Sequence, residues 1–148
     1  MHMNQQPTYD DVNLILKLYE LRREERMRQA RRDVAQLKRY NTMAEYQAAH
    51  PMGSQTEESL RMVTSYWDMV AGFVTSGVLN QDLFLQSGGE LLFTWEKIKD
   101  LVPEMRKMFN AKYLANMETV AKALIDRMNT GNPKAYEAFS ARVKAMSA

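Results

Sequence analysis

The chain has 148 residues, 45% of them hydrophobic, which is enough to bury the core of one domain. Its 20 basic and 18 acidic side chains nearly balance, and a formal charge of +2 is unlike that of a dedicated nucleic-acid-binding protein. The absence of cysteine excludes disulfides, thiolate metal sites and cysteine nucleophiles. A chain without cysteine forms no disulfides, which is consistent with a reducing compartment, so we expect a cytoplasmic protein.

Residues 1–8 are predicted to form a disordered N-terminal tail, and residues 9–148 are predicted to form a single helical domain. The first residues show no basic start followed by an apolar stretch, so no secretory signal is expected. The charge-free run between Asp68 and Asp82 is shorter than the roughly 20 residues that a membrane-spanning helix requires. The sequence therefore predicts no membrane partner.

Helix starts are indicated where Ser or Thr precedes an acidic residue by three positions, the spacing of a capping box. The four pairs are Thr8 with Asp11, Thr42 with Glu45, Ser54 with Glu57, and Ser87 with Glu90. Between these starts apolar residues recur with helical period, and no alternating strand pattern of useful length is present. Helices are predicted over residues 9–40, 43–49, 55–76, 81–86, 88–109, 112–129 and 133–146. The predicted fold is all-α, with a long N-terminal helix packed on a bundle of four to five shorter helices.

Two of these helices carry further expectations. Pro103 is expected to break the helix over 88–109 near Leu101, because proline lacks a backbone donor and crowds the preceding turn. The helix over 55–76 is apolar on most of its surface, which predicts a central helix or the centre of a subunit interface. Trp67 and Trp95 lie within the apolar faces of their helices, so both are expected to be buried.

An arginine-rich stretch, "YELRREERMRQARRD" at residues 19–33, contains six arginines. On a helical wheel they point nearly all round the axis, and acidic residues are interspersed, with Glu24 and Arg28 at the stabilising i, i+4 spacing. Phosphate binding needs an uninterrupted positive face. The pattern favours a salt-bridged structural helix, with weak nucleic-acid binding as a lower-ranked alternative.

Arg23 and Arg26 fall on the apolar side of the predicted N-terminal helix. An arginine that faces a core keeps its charge, so its guanidinium must find carboxylates or carbonyls, or reach water. The candidate partners are Asp33, Asp68, Glu90 and Glu96. We expect Arg23 and Arg26 to form charge-assisted hydrogen bonds inside the bundle, and the same positions are candidate anchors for a polar ligand.

No catalytic, metal-binding or cofactor-binding residues are predicted. His2 and His50 have no neighbouring ligand at helical spacing, and no Ser–His–Asp set is credible. Gly88 and Gly89 could present backbone N–H groups to an anion, but Glu90 would repel it and is assigned to the capping box. The twelve methionines could line a binding groove, although their helical spacing favours core packing.

Several segments resemble a family of small helical bacterial proteins classed only as a domain of unknown function. They are "YELRREERMRQARRD" (19–33), "RMVTSYWDMVAGFVTSGVLNQDLF" (61–84), "GELLFTWEKIKDLVPEMR" (89–106) and "YLANMETVAK" (113–122). The resemblance covers residues 9–122 and implies an all-helical bacterial protein. It implies no activity, ligand or catalytic residue.

The architecture favours a non-enzymatic helical interaction or scaffolding module that self-associates, as a homodimer. This expectation rests on the predicted helix over 9–40, which at 1.5 Å per residue would be roughly 48 Å long and would outrun a compact domain. The alternative is a regulatory helical bundle that binds a small ligand or a partner helix. Such a bundle would show a pocket of a few hundred Å³ with a few converging polar groups, as is roughly typical of ligand sites.

Overall fold

A computed structural model of the protein describes residues 6–148, which form helices and no strand. Residues 1–5 of the predicted tail, with His2, lie outside the described residues. The helices are α1 (Tyr9–Arg23), α2 (Glu25–Ala35), α3 (Met43–Ala49), α4 (Gln55–Thr75), α5 (Gln81–Leu85), α6 (Gly89–Ile98), α7 (Val102–Met108), α8 (Ala115–Gly131) and α9 (Ala135–Met146). The predicted all-α fold is confirmed.

The long N-terminal helix is present as α1, but the predicted single rod over 9–40 is wrong. Glu24 has extended backbone angles, φ −60° and ψ 144°, and separates α1 from α2. Its carboxylate accepts hydrogen bonds from the backbone N–H groups of Arg26 and Met27, both at 3.0 Å. Glu24 thus caps α2, a role that short polar side chains usually fill. Glutamate is also a good helix former, so its place in the sequence gave no sign of a break.

The second helix ends at Ala35, five residues before the predicted end. The chain then turns so that Leu37 is buried, and the carbonyl oxygen of Leu37 accepts a hydrogen bond of 2.6 Å from Lys97 Nζ. Arg39 N donates to the Ser147 carbonyl, which ties this turn to the end of the chain. Burial of these residues therefore overrides their ability to continue a helix.

The break at Pro103 is confirmed, because α6 ends at Ile98 and α7 begins at Val102. Gly77 follows the end of α4 with φ 85°, a left-handed conformation that glycine adopts without steric cost. The predicted helix starts are confirmed at Thr8 and Thr42, whose hydroxyl oxygens accept from the first turns of α1 and α3. Ser54 also precedes a helix, as the N-cap residue of α4, but its hydroxyl makes no capping hydrogen bond, and α6 begins after Gly88 instead of Ser87. The acidic partners of the two predicted capping boxes bind elsewhere: Glu57 accepts from Gly53 N and Arg61, and Glu90 binds arginines of the first two helices.

The predicted central position of the helix over 55–76 is confirmed, since α4 packs against α2, α5, α6 and α8. Ala30, Ala71 and Ala121 are completely buried on α2, α4 and α8, and their small side chains let these helices approach closely. Trp67 and Trp95 are both buried in the same hydrophobic core, as expected from the sequence.

The core position of the last turn of α4 can be tested with a matched pair of valines. Val74 is 2% exposed, whereas Val78, in the turn that follows, is 68% exposed. Val74→Ala should lower the free energy of unfolding by about 2 kcal/mol, from lost apolar burial and the cavity left behind. Val78→Ala should change it by less than about 0.5 kcal/mol. Urea denaturation of both variants is the measurement, and equal losses would contradict the placement of Val74.

Candidate functional site: polar ties and two apolar recesses

Arg26 and Asp33 meet on the surface between α2 and α4. Both terminal nitrogens of Arg26 lie 3.4 Å from Ser59 Oγ, and Ser59 Oγ donates to Asp33 Oδ2 at 2.6 Å. Burial raises the pKa of Asp33, but hydrogen bonds from Ser59, Gln55 and Gln29 outweigh it and leave that pKa below its usual value. Two of the predicted anchors thus form a half-buried tie between helices.

Arg23 lies outside the core, contrary to the expectation. It is exposed at the end of α1, and its guanidinium lies over the Tyr19 ring, 5.4 Å from the centroid. The wheel that placed it on the apolar side assumed one continuous helix. The break at Glu24 changes the direction of the chain, so positions on either side no longer share a face.

Glu90 is the junction of α1, α2 and α6. Its carboxylate accepts two short hydrogen bonds from Arg31, at 2.8 and 2.7 Å, and lies 3.5 Å from Arg22. Arg31 also donates to the Arg22 carbonyl oxygen, which satisfies a backbone acceptor at the end of α1. The side chain of Arg22 is 5.2 Å from the Trp67 ring centroid. Arg22 and Arg31, rather than Arg23, are therefore the arginines of the rich stretch that pair with a predicted acidic partner.

Glu96 is completely buried and ties α9 to α6. Its carboxylate accepts from the Tyr136 hydroxyl at 2.6 Å and the Ser140 hydroxyl at 2.8 Å, and Lys99 lies 3.1 Å away. A buried carboxylate is tolerated because its oxygens are fully hydrogen-bonded. Glu96 therefore holds the last helix in place and does not contact Arg23 or Arg26.

Sequence reasoning missed Lys97, which is only 2% exposed. Burial, with the positive charge of Arg39, lowers its pKa below the usual value. Its ammonium donates to the Leu37 carbonyl and lies 5.5 Å from the Phe93 ring centroid. The sequence offered one sign of this burial: Glu96 and Lys97 are adjacent charged residues in a largely apolar stretch. A helix that is buried on most sides must bury such residues as well.

Asp68 has a capping role that spans two helices. The first turn of α8 follows Leu114, a buried residue with φ 58° that offers no side-chain cap. Asp68 Oδ1, from α4, accepts the hydrogen bond of Met117 N at 3.0 Å instead. This predicted anchor therefore stabilises the start of α8 against the central helix.

An apolar groove of about 230 Å³ lies between α1, α4 and α5, and we call it the α1–α4 groove. Its apolar walls are formed by Ile15, Leu16, Tyr19, Trp67, Val70 and Phe84. Arg22 is its charged lining residue, and Trp67 Nε1 is buried without a hydrogen-bond partner among the described residues. The groove has the composition of a protein–protein contact, in which aromatic residues and arginine are enriched.

A second recess, the Tyr46 cavity, has a volume of about 200 Å³ and lies between α3, α4 and the end of α7. Its largely apolar walls are formed by Met43, Tyr46, Leu60, Met105, Phe109 and Tyr113. His50, Glu57 and Arg61 are among its polar lining residues. A recess with apolar walls and a few polar groups has the character of a small-molecule site.

The methionines divide between core and surface. Met27, Met43, Met105 and Met117 are buried, whereas Met52, Met69, Met108 and Met146 are exposed. Three methionines, Met43, Met52 and Met105, line the Tyr46 cavity.

The described residues contain no group of His, Cys, Asp and Glu arranged to hold a metal ion. No helix among them is long and apolar enough to cross a membrane.

The helices and their polar ties define a small all-helical protein with apolar recesses. The family model of the Domain of unknown function (DUF4760) matches residues 7–146. The chain therefore belongs to this family, as the resemblance in its sequence implied. Comparison with curated proteins and with solved structures found no match.

The tie between Glu96 and α9 predicts a measurable loss of stability. Glu96→Gln should lower the free energy of unfolding by about 2–3 kcal/mol, because two hydroxyls and one ammonium lose a charged acceptor. Tyr136→Phe should cost about 1–3 kcal/mol, and the double variant should cost less than the sum. Denaturant unfolding measures all three. The exposed Glu137→Gln is the control on α9, and a loss equal to that of Glu96→Gln would contradict the tie.

Proposed function

We propose that this protein is a non-enzymatic helical interaction module that self-associates through α1. The observation that carries the proposal is an exposed apolar stripe on this helix, formed by Tyr9, Val12, Leu16 and Tyr19 and here called the α1 stripe. Their exposed fractions run from 40% for Val12 to 88% for Tyr9. Adjacent apolar side chains left in water on one helix face are typical of a surface that a partner covers.

The spacing of the α1 stripe suits a helical partner. Its residues recur at intervals of three, four and three, so they lie along one side of the helix. This is the a/d pattern with which two helices pack side by side. The opposite side of α1 faces the protein, where Leu18 is buried and its carbonyl oxygen accepts from the Tyr66 hydroxyl. One helix can therefore serve the core and a partner at once.

Charge favours a second copy of the chain in antiparallel orientation. The first turn of α1 has an exposed acidic residue, Asp10, and its last turn has an exposed basic residue, Arg23. When two copies of α1 run in opposite directions, the acidic end of each lies beside the basic end of the other. The helix dipoles are then also antiparallel. A two-fold symmetric antiparallel pair uses one self-complementary surface. A parallel pair would instead place like charges beside each other.

The α1–α4 groove could receive a side chain of the second copy. In an antiparallel pair centred between Val12 and Leu16, Tyr9 of one copy lies beside Tyr19 of the other. Tyr19 borders the groove, and Tyr9 is the most exposed aromatic residue of the stripe. The groove volume of about 230 Å³ can receive an aromatic side chain, and aromatic anchors in pockets contribute strongly to binding energy. A continuous rod of roughly 48 Å does not support self-association, because the N-terminal helix is divided at Glu24.

We also propose a bacterial cytoplasmic location, supported by the absence of cysteine in the sequence and by the bacterial family that the sequence resembles.

Nucleic-acid binding is a lower-ranked alternative. Arg22, Arg26 and Arg31 are engaged by Glu90 or Ser59, which leaves less of the arginine-rich stretch to face phosphates.

Light scattering tests the surface with two leucines of the same helix. The wild-type protein should be a dimer at micromolar concentration, and Leu16→Lys should shift it to monomer by placing a charge in the apolar contact. Leu21→Lys is the matched control, because Leu21 is 44% exposed but lies on another side of α1. It should leave the dimer intact. A wild-type monomer, or equal loss of dimer in both variants, would overturn the proposal.

Cross-linking tests the orientation, because the chain has no cysteine to interfere. In the antiparallel pair, two copies of residue 9 are about 15 Å apart along the helix axis, beyond the reach of a disulfide. Tyr9→Cys alone should therefore not form a disulfide-linked dimer, whereas its mixture with Tyr19→Cys should do so. The products are read by non-reducing gel electrophoresis. Efficient self-linking of Tyr9→Cys would show a parallel pair.

A further inference from the structure

A third recess lies between α2 and α6, and we call it the α2–α6 recess. It has a volume of about 320 Å³ and is open to solvent. Its lining includes Arg28, Arg31, Arg32 and Ala35 of α2 and Glu90 and Phe93 of α6. The recess shares no lining residue with the α1–α4 groove or the Tyr46 cavity, so it is separate from the proposed self-association surface.

The three arginines of the recess share one side of α2. Arg28 precedes Arg31 by three residues and Arg32 by four, and these spacings bring side chains together on one face of a helix. Ala35 follows on the same side, seven residues after Arg28. One wall of the recess is therefore a row of guanidinium groups that ends in a small apolar residue.

The recess already contains one arginine–carboxylate pair. Arg31 donates from Nε and Nη2 to the two carboxylate oxygens of Glu90, at 2.8 and 2.7 Å, so its guanidinium lies in the gap between α2 and α6. Two parallel hydrogen bonds are the arrangement with which arginine recognises a planar carboxylate. The Arg31 side chain is 31% exposed, so solvent reaches this pair. Carboxylate recognition is thus possible at the recess, although Glu90 occupies Arg31 itself.

Arg28 and Arg32 supply positive charge that a ligand can use. Both are exposed, and neither is in a salt bridge with a described residue. Arg32 donates to the uncharged side chain of Gln29 at 2.9 Å. Glu24 attracts Arg28, but the Glu24 carboxylate is held by the backbone N–H groups that it caps at the start of α2. A carboxylate between Arg28 and Arg32 would therefore gain two cationic donors without breaking a salt bridge.

Phe93 gives the recess an apolar surface with positive charge behind it. The Phe93 ring is half-buried, which leaves part of it accessible. Lys97 Nζ lies 5.5 Å from the centroid of this ring, and its hydrogen-bond partner is the uncharged carbonyl group of Leu37. Charges inside an apolar interior are weakly screened, so the Lys97 ammonium also favours a negative ligand. An aromatic ring that carries a negative charge suits both properties of this surface.

We propose that the α2–α6 recess binds a small aromatic carboxylate, whose ring packs on Phe93 and whose carboxylate accepts hydrogen bonds from Arg28 and Arg32. An apolar cavity of roughly 150 Å³ holds benzene in an engineered protein, so about 320 Å³ accommodates a fused two-ring compound. Glu90 also lines the recess, and its negative charge would repel a second negative charge on the ligand. A single carboxylate therefore suits the recess better than a doubly charged phosphate.

Four probes test the class of ligand with the full chain. Naphthoate has two rings and one negative charge, naphthalenemethanol is its uncharged analogue, acetate has the charge without the rings, and naphthyl phosphate carries a second negative charge. NMR titrations followed by the ring signals of labelled phenylalanines should show saturable binding of naphthoate. Naphthalenemethanol should bind roughly 10-fold more weakly, because it lacks two charged contacts, and acetate should not saturate the site at the same concentrations.

Each probe can contradict one part of the proposal. Equal binding of naphthalenemethanol would overturn the role of charge, and equal binding of acetate would overturn the role of the ring. Tighter binding of naphthyl phosphate would overturn the preference for a carboxylate. If naphthoate shows no saturable binding, the site itself is overturned.

The same spectra locate the probe. Phe93 lines the α2–α6 recess, Phe84 lines the α1–α4 groove, and Phe109 lines the Tyr46 cavity. Naphthoate should shift the signals of Phe93 and leave those of Phe84 and Phe109 in place. Shifts of Phe84 or Phe109 without a shift of Phe93 would place the probe in another recess and contradict the assignment.

Substitution of the two arginines tests the contact with the carboxylate. Arg28→Gln and Arg32→Gln should each weaken naphthoate binding by roughly 2- to 5-fold, the range expected of one exposed charged contact, and leave naphthalenemethanol binding unchanged. Arg142→Gln is the matched control, because it removes the same charge from an exposed position on α9. It should leave both affinities unchanged. Equal weakening in all three variants would show an effect of net charge alone, and unchanged naphthoate binding in Arg28→Gln and Arg32→Gln would likewise reject the contact.

Discussion

The burial of α6 on most of its surface is the constraint on which the rest of the structure depends. A helix in that position must satisfy every charged side chain it carries, because unpaired charge in an apolar interior is strongly destabilising. Glu90 meets this demand with Arg31 and Arg22 at the junction of α1 and α2. Lys97 meets it with the carbonyl oxygen of Leu37 beyond α2. The polar groups of one buried helix are thus bonded to residues of the first two helices and of the turn that follows them.

The same helix also fixes the end of the chain. Glu96 takes hydrogen bonds from Tyr136 and Ser140 on α9, a helix that otherwise presents few buried residues of its own. Each of these ties joins positions distant in sequence, so the bundle is held by specific polar contacts as well as by apolar packing. Directional hydrogen bonds favour one arrangement of helices, whereas apolar contact alone tolerates many.

The central helix gives both recesses a wall. Leu60, Arg61 and Thr64, in the first half of α4, border the Tyr46 cavity, and Trp67 and Val70, further along, border the α1–α4 groove. The groove and the cavity therefore lie beside different turns of the same helix.

The sequence by itself determined the helical class, the apolar character of α4, the break before Pro103 and the burial of Trp67 and Trp95, because these follow from local periodicity and backbone chemistry. Only the tertiary structure decided the break at Glu24, since a glutamate can continue a helix or cap one, and the choice depends on where the next helix packs. It also decided the partners of Glu90, Glu96 and Lys97. The two recesses could not be predicted from the sequence either, since a methionine or tyrosine has the same helical spacing whether it fills a core or borders a cavity.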